Sequence, residues 1–179
     1  MTLTVQCLTV GPLMENCYLV ADGAKGRALL IDPGDEAPRL LRALEPYTLA
    51  AVLLTHAHFD HVGALEGVLR AHSAPVYLHP ADLPLYEHAA EAAARWEMAL
   101  EQPRAPTEPL EHGQTLELLG RSFVCLHTPG HAPGHVAFHL PDEGLLFAGD
   151  ALFQGSIGRT DLPFGDYDTL IASIREQLL

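Results

Sequence analysis

Three imidazoles and a carboxylate crowd into Thr55-His56-Ala57-His58-Phe59-Asp60-His61, directly after the apolar run Ala51-Val52-Leu53-Leu54. Imidazole nitrogen and carboxylate oxygen are the ligand atoms that borderline divalent ions such as zinc, iron(II) and manganese accept. The cluster follows a strand of buried type and lies outside any low-complexity tract, so it reads as a metal site and not as a solvated His-rich surface. Two further islands carry the same ligand types: His127-Thr128-Pro129-Gly130-His131-Ala132-Pro133-Gly134-His135 and Phe147-Ala148-Gly149-Asp150. Each also follows a predicted strand. Loops leaving the same edge of stacked sheets converge, which would bring His131 and Asp150 to the first cluster while rigid strands hold them. Pro129 and Gly130 constrain the turn before His131, and Gly149 relieves crowding beside Asp150.

The elements that must position these loops follow from pattern and punctuation. Segments 3–10, 16–21 and 27–31 alternate as strands, separated by Gly11-Pro12 and Asp22-Gly23, and suggest an antiparallel meander. Asp32-Pro33-Gly34 closes the third strand, and 36–44 has helical spacing up to Pro46. A short buried strand is expected at 50–54 and a helix at 62–71, with Asp60 and His61 near its first turn. A strand at 76–78 precedes an Ala- and Glu-rich helical segment at 80–100, broken early by Pro84, whose expected role is structural or as cover over a substrate channel. After a proline-rich loop at 103–109 come four short strands, at 114–119, 122–127, 136–140 and 145–147, and an amphipathic helix from Tyr167 to Leu179. No strict strand-helix alternation is expected. Two sheets packed face to face with helices outside satisfy this order.

With 179 residues the chain reads as one domain, large enough to hold a rigid polar site without cross-links. Cys7, Cys17 and Cys125 are odd in number, widely spaced and unpaired by any Cys-x-x-Cys motif, which speaks against a disulfide framework or a thiolate zinc site and for a reducing, cytoplasmic setting. The start Met1-Thr2-Leu3-Thr4-Val5-Gln6 has no basic region followed by a long apolar core, and no apolar run approaches the ~18 to 20 residues that span a bilayer. A net charge of -13, with nine Arg and only Lys25 as lysine, speaks against a nucleic-acid partner and fits acidity that serves solubility. Composition does not settle the oligomeric state.

Taken together, Thr55-His56-x-His58-x-Asp60-His61, Thr128-Pro129-Gly130-His131 and Gly149-Asp150 resemble the successive motifs of the metallo-β-lactamase fold superfamily. With Ile31-Asp32-Pro33-Gly34 and Gly155-Ser156-Ile157-Gly158-Arg159-Thr160-Asp161 the chain is most similar to the small glyoxalase II-like, or hydroxyacylglutathione hydrolase-like, branch. The resemblance implies an α+β four-layer αββα sandwich over residues 1–179 and two divalent metal ions, zinc with iron or manganese as alternatives. It implies that His56, His58 and His131 hold one ion, that Asp60 and His61 hold the second, and that Asp150 bridges them. Two ions about 3.5 to 4 Å apart share a hydroxide made nucleophilic at neutral pH, which Asp60 also orients. The implied reaction is hydrolysis of a small thioester such as hydroxyacylglutathione, whose thiolate leaves readily because its conjugate acid has a pKa near ~8.5. The family supplies a further histidine for the second ion after the last helix; the expectation is a tail beyond Leu179 that carries it. The helical domain that helps full-length glyoxalase II hold glutathione has no counterpart among these residues.

Two alternatives stand beside this reading. An iron-dependent persulfide dioxygenase on the same fold would use His56, His131 and Asp150 as a two-histidine, one-carboxylate triad. A non-catalytic metal-binding domain is the other. A β-lactamase role fits a cytoplasmic setting poorly. Of the remaining residues, Asp32 is expected either to support a ligand imidazole or to cap a turn. Arg159 meets an anionic substrate or pairs with Asp161, and Phe153 and Phe164 line the cleft or the core. His127 is a strand-end histidine that packs or bonds within the site, and His135 and His139 share a strand face in supporting or surface roles. His72, His79, His88 and His112 are solvated or satisfied in the core.

Overall fold

Alternate residues of the amino-terminal strands face two different cores, and this sets the architecture. In the computed structural model, which describes residues 3–179, β1 (Thr4–Val10), β2 (Glu15–Asp22) and β3 (Arg27–Ile31) form the expected antiparallel meander; Met1 and Thr2 of the predicted amino-terminal segment lie outside the described residues. Cys17, Leu19 and Ala21 of β2, with Ala28 and Leu30 of β3, pack toward helices, whereas Val20, Leu29 and Ile31 pack toward the second sheet. This period of two is what an extended chain buried on both faces requires.

The first sheet has the order β1-β2-β3-β4-β5-β6, where β4 is Thr48–Leu53, β5 Val76–Leu78 and β6 Glu108–Pro109. From β3 onward the pairing is parallel, so each step needs a crossover, supplied by helix α1 (Ala37–Leu44), then by α2 (Phe59–Val62) and α3 (Leu65–Ala71), then by α4 (Leu83–Glu87) and α5 (Ala89–Arg95). The middle of the chain therefore alternates strand and helix more regularly than its sequence pattern suggests. The alternation is hidden because β5 and β6 are only three and two residues long. The second sheet, ordered β10-β9-β8-β7, is antiparallel and comprises β7 (Thr115–Leu118), β8 (Arg121–His127), β9 (Val136–Leu140) and β10 (Leu145–Phe147). Phe123, Cys125, Phe138 and Leu140 pack from it against Leu29, Ile31, Ala51 and Leu53 of the first sheet. A hairpin of β11 (Leu152–Phe153) and β12 (Ser156–Ile157) precedes α6 (Tyr167–Ser173), which runs on as a π-helical turn to Leu178. The two sheets thus pack face to face with helices outside, as the sequence order leads one to expect.

Two local expectations change. The helix expected at 62–71 is split, because the Ala64 N–H donates to the Pro33 carbonyl at 3.0 Å, and Asp60 and His61 therefore sit on the separate single turn α2. Pro84 starts α4 instead of breaking a helix, since a first-turn proline lacks only a donor that would be unpaired anyway; the break falls at His88. No helix among the described residues is long and apolar enough to cross a membrane.

Candidate metal centre

Three connections between strands bring their residues to one edge of the sandwich. The loop after β4 carries His56 and His58, the turn α2 carries Asp60 and His61, the loop between β8 and β9 carries His131, and the loop after β10 carries Asp150. Two close approaches fix their spacing. A Cβ on Gly34 would lie 1.8 Å from the Asp60 carbonyl, so the Asp32-Pro33-Gly34 turn can touch α2 only without a side chain there. Gly149 has φ +50 and lies against Thr55 and His135, which lets Asp150 follow directly.

The ring nitrogens converge. His56 Nε2 is 3.2 Å from His131 Nε2, and His58 Nδ1 is 2.9 Å from the same atom. His56, His58 and His131 form one group whose ligand atoms all lie within 4.8 Å of one another, and His56, His61 and Asp150 form a second. Asp150 faces both, with Oδ1 3.4 Å from His61 Nε2 and Oδ2 3.5 Å from His131 Nε2. Asp60 borders this pair without joining either group, its Oδ2 3.8 Å from His61 Nε2.

Hydrogen bonds behind the rings decide which nitrogen faces inward. The Thr55 hydroxyl donates its single proton to Asp32 Oδ2 at 2.6 Å, so its 3.0 Å contact with His56 Nδ1 must be an N–H from the ring. The His131 Nδ1–H donates to the Arg159 carbonyl at 2.8 Å, and the His61 Nδ1–H to Asp32 Oδ2 at 3.1 Å. The Nε2 atoms of these three rings are thereby aimed at the middle, as ligand imidazoles need. Asp32 thus supports the His61 ring, accepts the Thr55 N–H at 2.7 Å and holds a left-handed φ of 51°.

The electrostatics suit cation binding. Burial, reinforced by neighbouring rings, keeps His56 well below the usual imidazole range and lowers His58 to about 3; burial also lowers His131. Neutral nitrogens facing one another at such distances, with no acceptor between them, fit a divalent ion as the missing partner. At His61 burial works downward too, but Asp150 and Asp32 outweigh it and the ring is held well above its ordinary value. Burial would raise Asp150, yet His61 keeps it ionised.

Residues outside the motifs complete the setting. Glu15 is buried beside His61 and Asp32, its Oε1 3.8 Å from His61 Nδ1, and burial lifts its carboxyl to about 9. Asp82 ties two of the ligand loops together through their backbones. A lone carboxylate at a strand start or helix turn gives no sequence signal of this kind. His135 is fully buried at a ring-centroid distance of 5.1 Å from His56, while His127 stacks on His79 at 4.3 Å and bonds the Pro133 carbonyl. Arg159 pairs with Asp161, and Phe164 lines a cleft of about 700 Å³ that opens onto His58, His131 and Asp150. Phe153 lines a neighbouring cavity of about 380 Å³ behind Asp150.

The profile of the metallo-beta-lactamase superfamily matches residues 10–179. The chain belongs to that superfamily. Hydroxyacylglutathione hydrolase GloC of Haemophilus influenzae is 40% identical over 181 aligned positions, 99% of this chain and 85% of that protein. Among solved structures, TTHA1623 in a di-iron-bound form superposes with a TM-score of 0.88 at 50% identity, over 96% of this chain and 84% of that one. The B3 metallo-β-lactamase BLEG-1 superposes at 0.90 with 38% identity, over 98% and 85%. Superfamily membership and this donor set make the chain a metallohydrolase in general terms.

Proposed function

We propose that this superfamily member is a metal-dependent hydrolase of small thioesters, hydroxyacylglutathione among them. The observation that carries the reading is the pair of candidate ligand groups sharing His56, of whose members His58, His131 and Asp150 line the cleft, with Asp150 facing both groups. The likeness to the Haemophilus hydrolase supports the substrate class. His56, His58 and His131 would hold one ion, and His61, Asp60 and Asp150 the other, with zinc, iron and manganese all compatible with nitrogen and oxygen donors. Divalent ions held there supply Lewis acidity, which activates water near neutral pH and polarises a carbonyl.

The chain's own residues do the rest. Asp60 lies at the cleft wall next to His61, where its carboxylate orients the attacking water and accepts its proton. Thr55, Asp32 and the Arg159 carbonyl keep the ligand rings from turning. The departing thiolate needs no protein acid, because a thiol pKa near ~8.5 makes it a good leaving group. The free thiols Cys7, Cys17 and Cys125 support placing this activity in the cytoplasm.

Metal content measured beside two assays tests the reading. About two ions per chain with cleavage of S-lactoylglutathione is the expected result. One iron with oxygen consumption on glutathione persulfide would instead identify the oxygenase, and metal without either activity would identify a binding domain.

A further inference from the structure

We infer that the cleft selects thioesters with one apolar arm of about phenyl size and a single carboxylate, which Arg95 receives. This deepens the thioester reading above and rests on it for the reacting group, though not for the shape of the ligand.

Six large apolar side chains, Leu13, Phe59, Leu85, Trp96, Leu162 and Phe164, line the cleft. Its volume of about 700 Å³ falls in the range of small-molecule sites, which are mostly apolar with a few placed polar groups. Three of these residues are left substantially in water: Leu13 at 42%, Trp96 at 51% and Phe164 at 65% exposure. They come from the β1–β2 turn, the end of α5 and the loop before α6, so their meeting at one opening is not a local accident of sequence. Single exposed apolar residues are ordinary, whereas a convergent group marks a binding surface. Two backbone positions at this opening are held left-handed, Phe164 at φ 69° and Met14, next to Leu13, at φ 57°. Bulky residues rarely adopt that conformation, and such strain gathers at ligand sites. The Trp96 ring lies 6.1 Å from that of Phe59, which sits between His58 and Asp60, so an apolar wall runs from the opening to the ligand cluster.

The charges leave one vacancy for an anion. Arg159 is tied through two bonds of 2.7 and 2.8 Å to Asp161, and His88 lies 3.3 Å from Glu91. Arg95 lines the cleft with no carboxylate partner among the described residues.

The chain's single tryptophan is Trp96, so its fluorescence reports cleft occupancy in the full-length, metal-loaded protein without any turnover. Uncleavable thioethers serve as probes. We expect 3-(2-phenylethylthio)propionate to bind at least about 10-fold more tightly than 3-(ethylthio)propionate, with a blue shift, because a buried phenyl group contributes on that scale. Replacing its carboxylate by an amide should weaken binding about fivefold in the native protein and not at all in Arg95→Ala, an exposed pair being worth little more. Phe164→Ala should narrow the gap between phenylethyl and ethyl. Equal binding of the two, or tighter binding of S-ethylglutathione than of either, overturns the inference. If the thioethers rank as expected but no thioester is cleaved, the hydrolase reading fails and the cleft's selectivity stands. Cleavage of S-lactoylglutathione with the opposite ranking does the reverse.

Discussion

The Asp82 carboxylate holds the backbone of Gly134, whose N–H reaches Oδ1 at 2.5 Å, while Oδ2 takes the Ala57 N–H at 2.8 Å. Ala57 stands between His56 and His58, and Gly134 lies on the loop of His131, so one fully buried carboxylate fastens two of the ligand-bearing loops. Asp82→Ala would leave two N–H groups without acceptors, a loss of about 2–5 kcal/mol of stability, and should weaken metal retention about 10- to 100-fold. Asp82→Asn, with one acceptor oxygen left, should fall between. Denaturant melts and metal content after dialysis against chelator check this; native metal retention in Asp82→Ala would show that the loops are fastened otherwise.

Arg104 grips Glu66 through its backbone N–H at 3.1 Å, Nε at 3.1 Å and a terminal nitrogen at 2.7 Å, which pins the proline-rich loop to α3. These bonds hold the Glu66 carboxyl at about 2, below the ~4.3 of an unfolded chain. A lowered acid pKa gives stability that is complete above the unfolded value and disappears as pH falls through the folded one. Arg104→Ala should therefore be less stable than the native chain above about pH 5, and the two should draw together toward pH 2. Because Arg104 is exposed, the difference should be small and shrink in salt. Urea melts across that pH range decide it, and a gap that widens on acidification would contradict the assignment.

Uptake of metal should release about one proton per chain, and that proton should come from His61. His56, His58 and His131 are already neutral through burial, whereas Asp150 and Asp32 keep His61 charged until a cation displaces the proton. Loading of the first group should change little between pH 7 and 6, while loading of the second should weaken with acidity. Calorimetry in buffers of different ionisation enthalpy counts the protons. His61→Asn should bring the release near zero; an unchanged count would point to another donor.

The convergence of the candidate cluster was legible because His56, His58, Asp60 and His61 are rare residue types packed into one short segment, and His131 and Asp150 repeat the pattern after strands. Glu15 and Asp82 were not, since a solitary carboxylate looks the same in sequence whether it faces water or is buried; only tertiary packing separates Asp82, fully enclosed, from the exposed acids of the same stretch. The long strands of the sandwich announced themselves by alternation. Strand β6 did not, because Glu108 and Pro109 join β5 through backbone bonds alone inside a proline-rich loop. The split between α2 and α3 was equally hidden, as it depends on the Ala64 N–H finding the distant Pro33 carbonyl in place of a helical partner.

His56→Ala and Asp150→Ala should separate the two ligand groups. His56 is one of the three imidazoles assigned to the first ion, so its removal should empty that position, whereas Asp150→Ala keeps His56, His58 and His131 intact and should retain that ion while losing the second. Both should lose at least about 100-fold in thioester turnover, the scale on which loss of a ligand or its support acts. Neither side chain belongs to the two large hydrophobic cores, so the circular dichroism spectrum of each variant should match that of the parent. Metal counting and steady-state kinetics on the same preparations provide the check. Retained turnover in either variant, or a metal content unchanged from that of the parent, would mean that the two groups do not act as a pair.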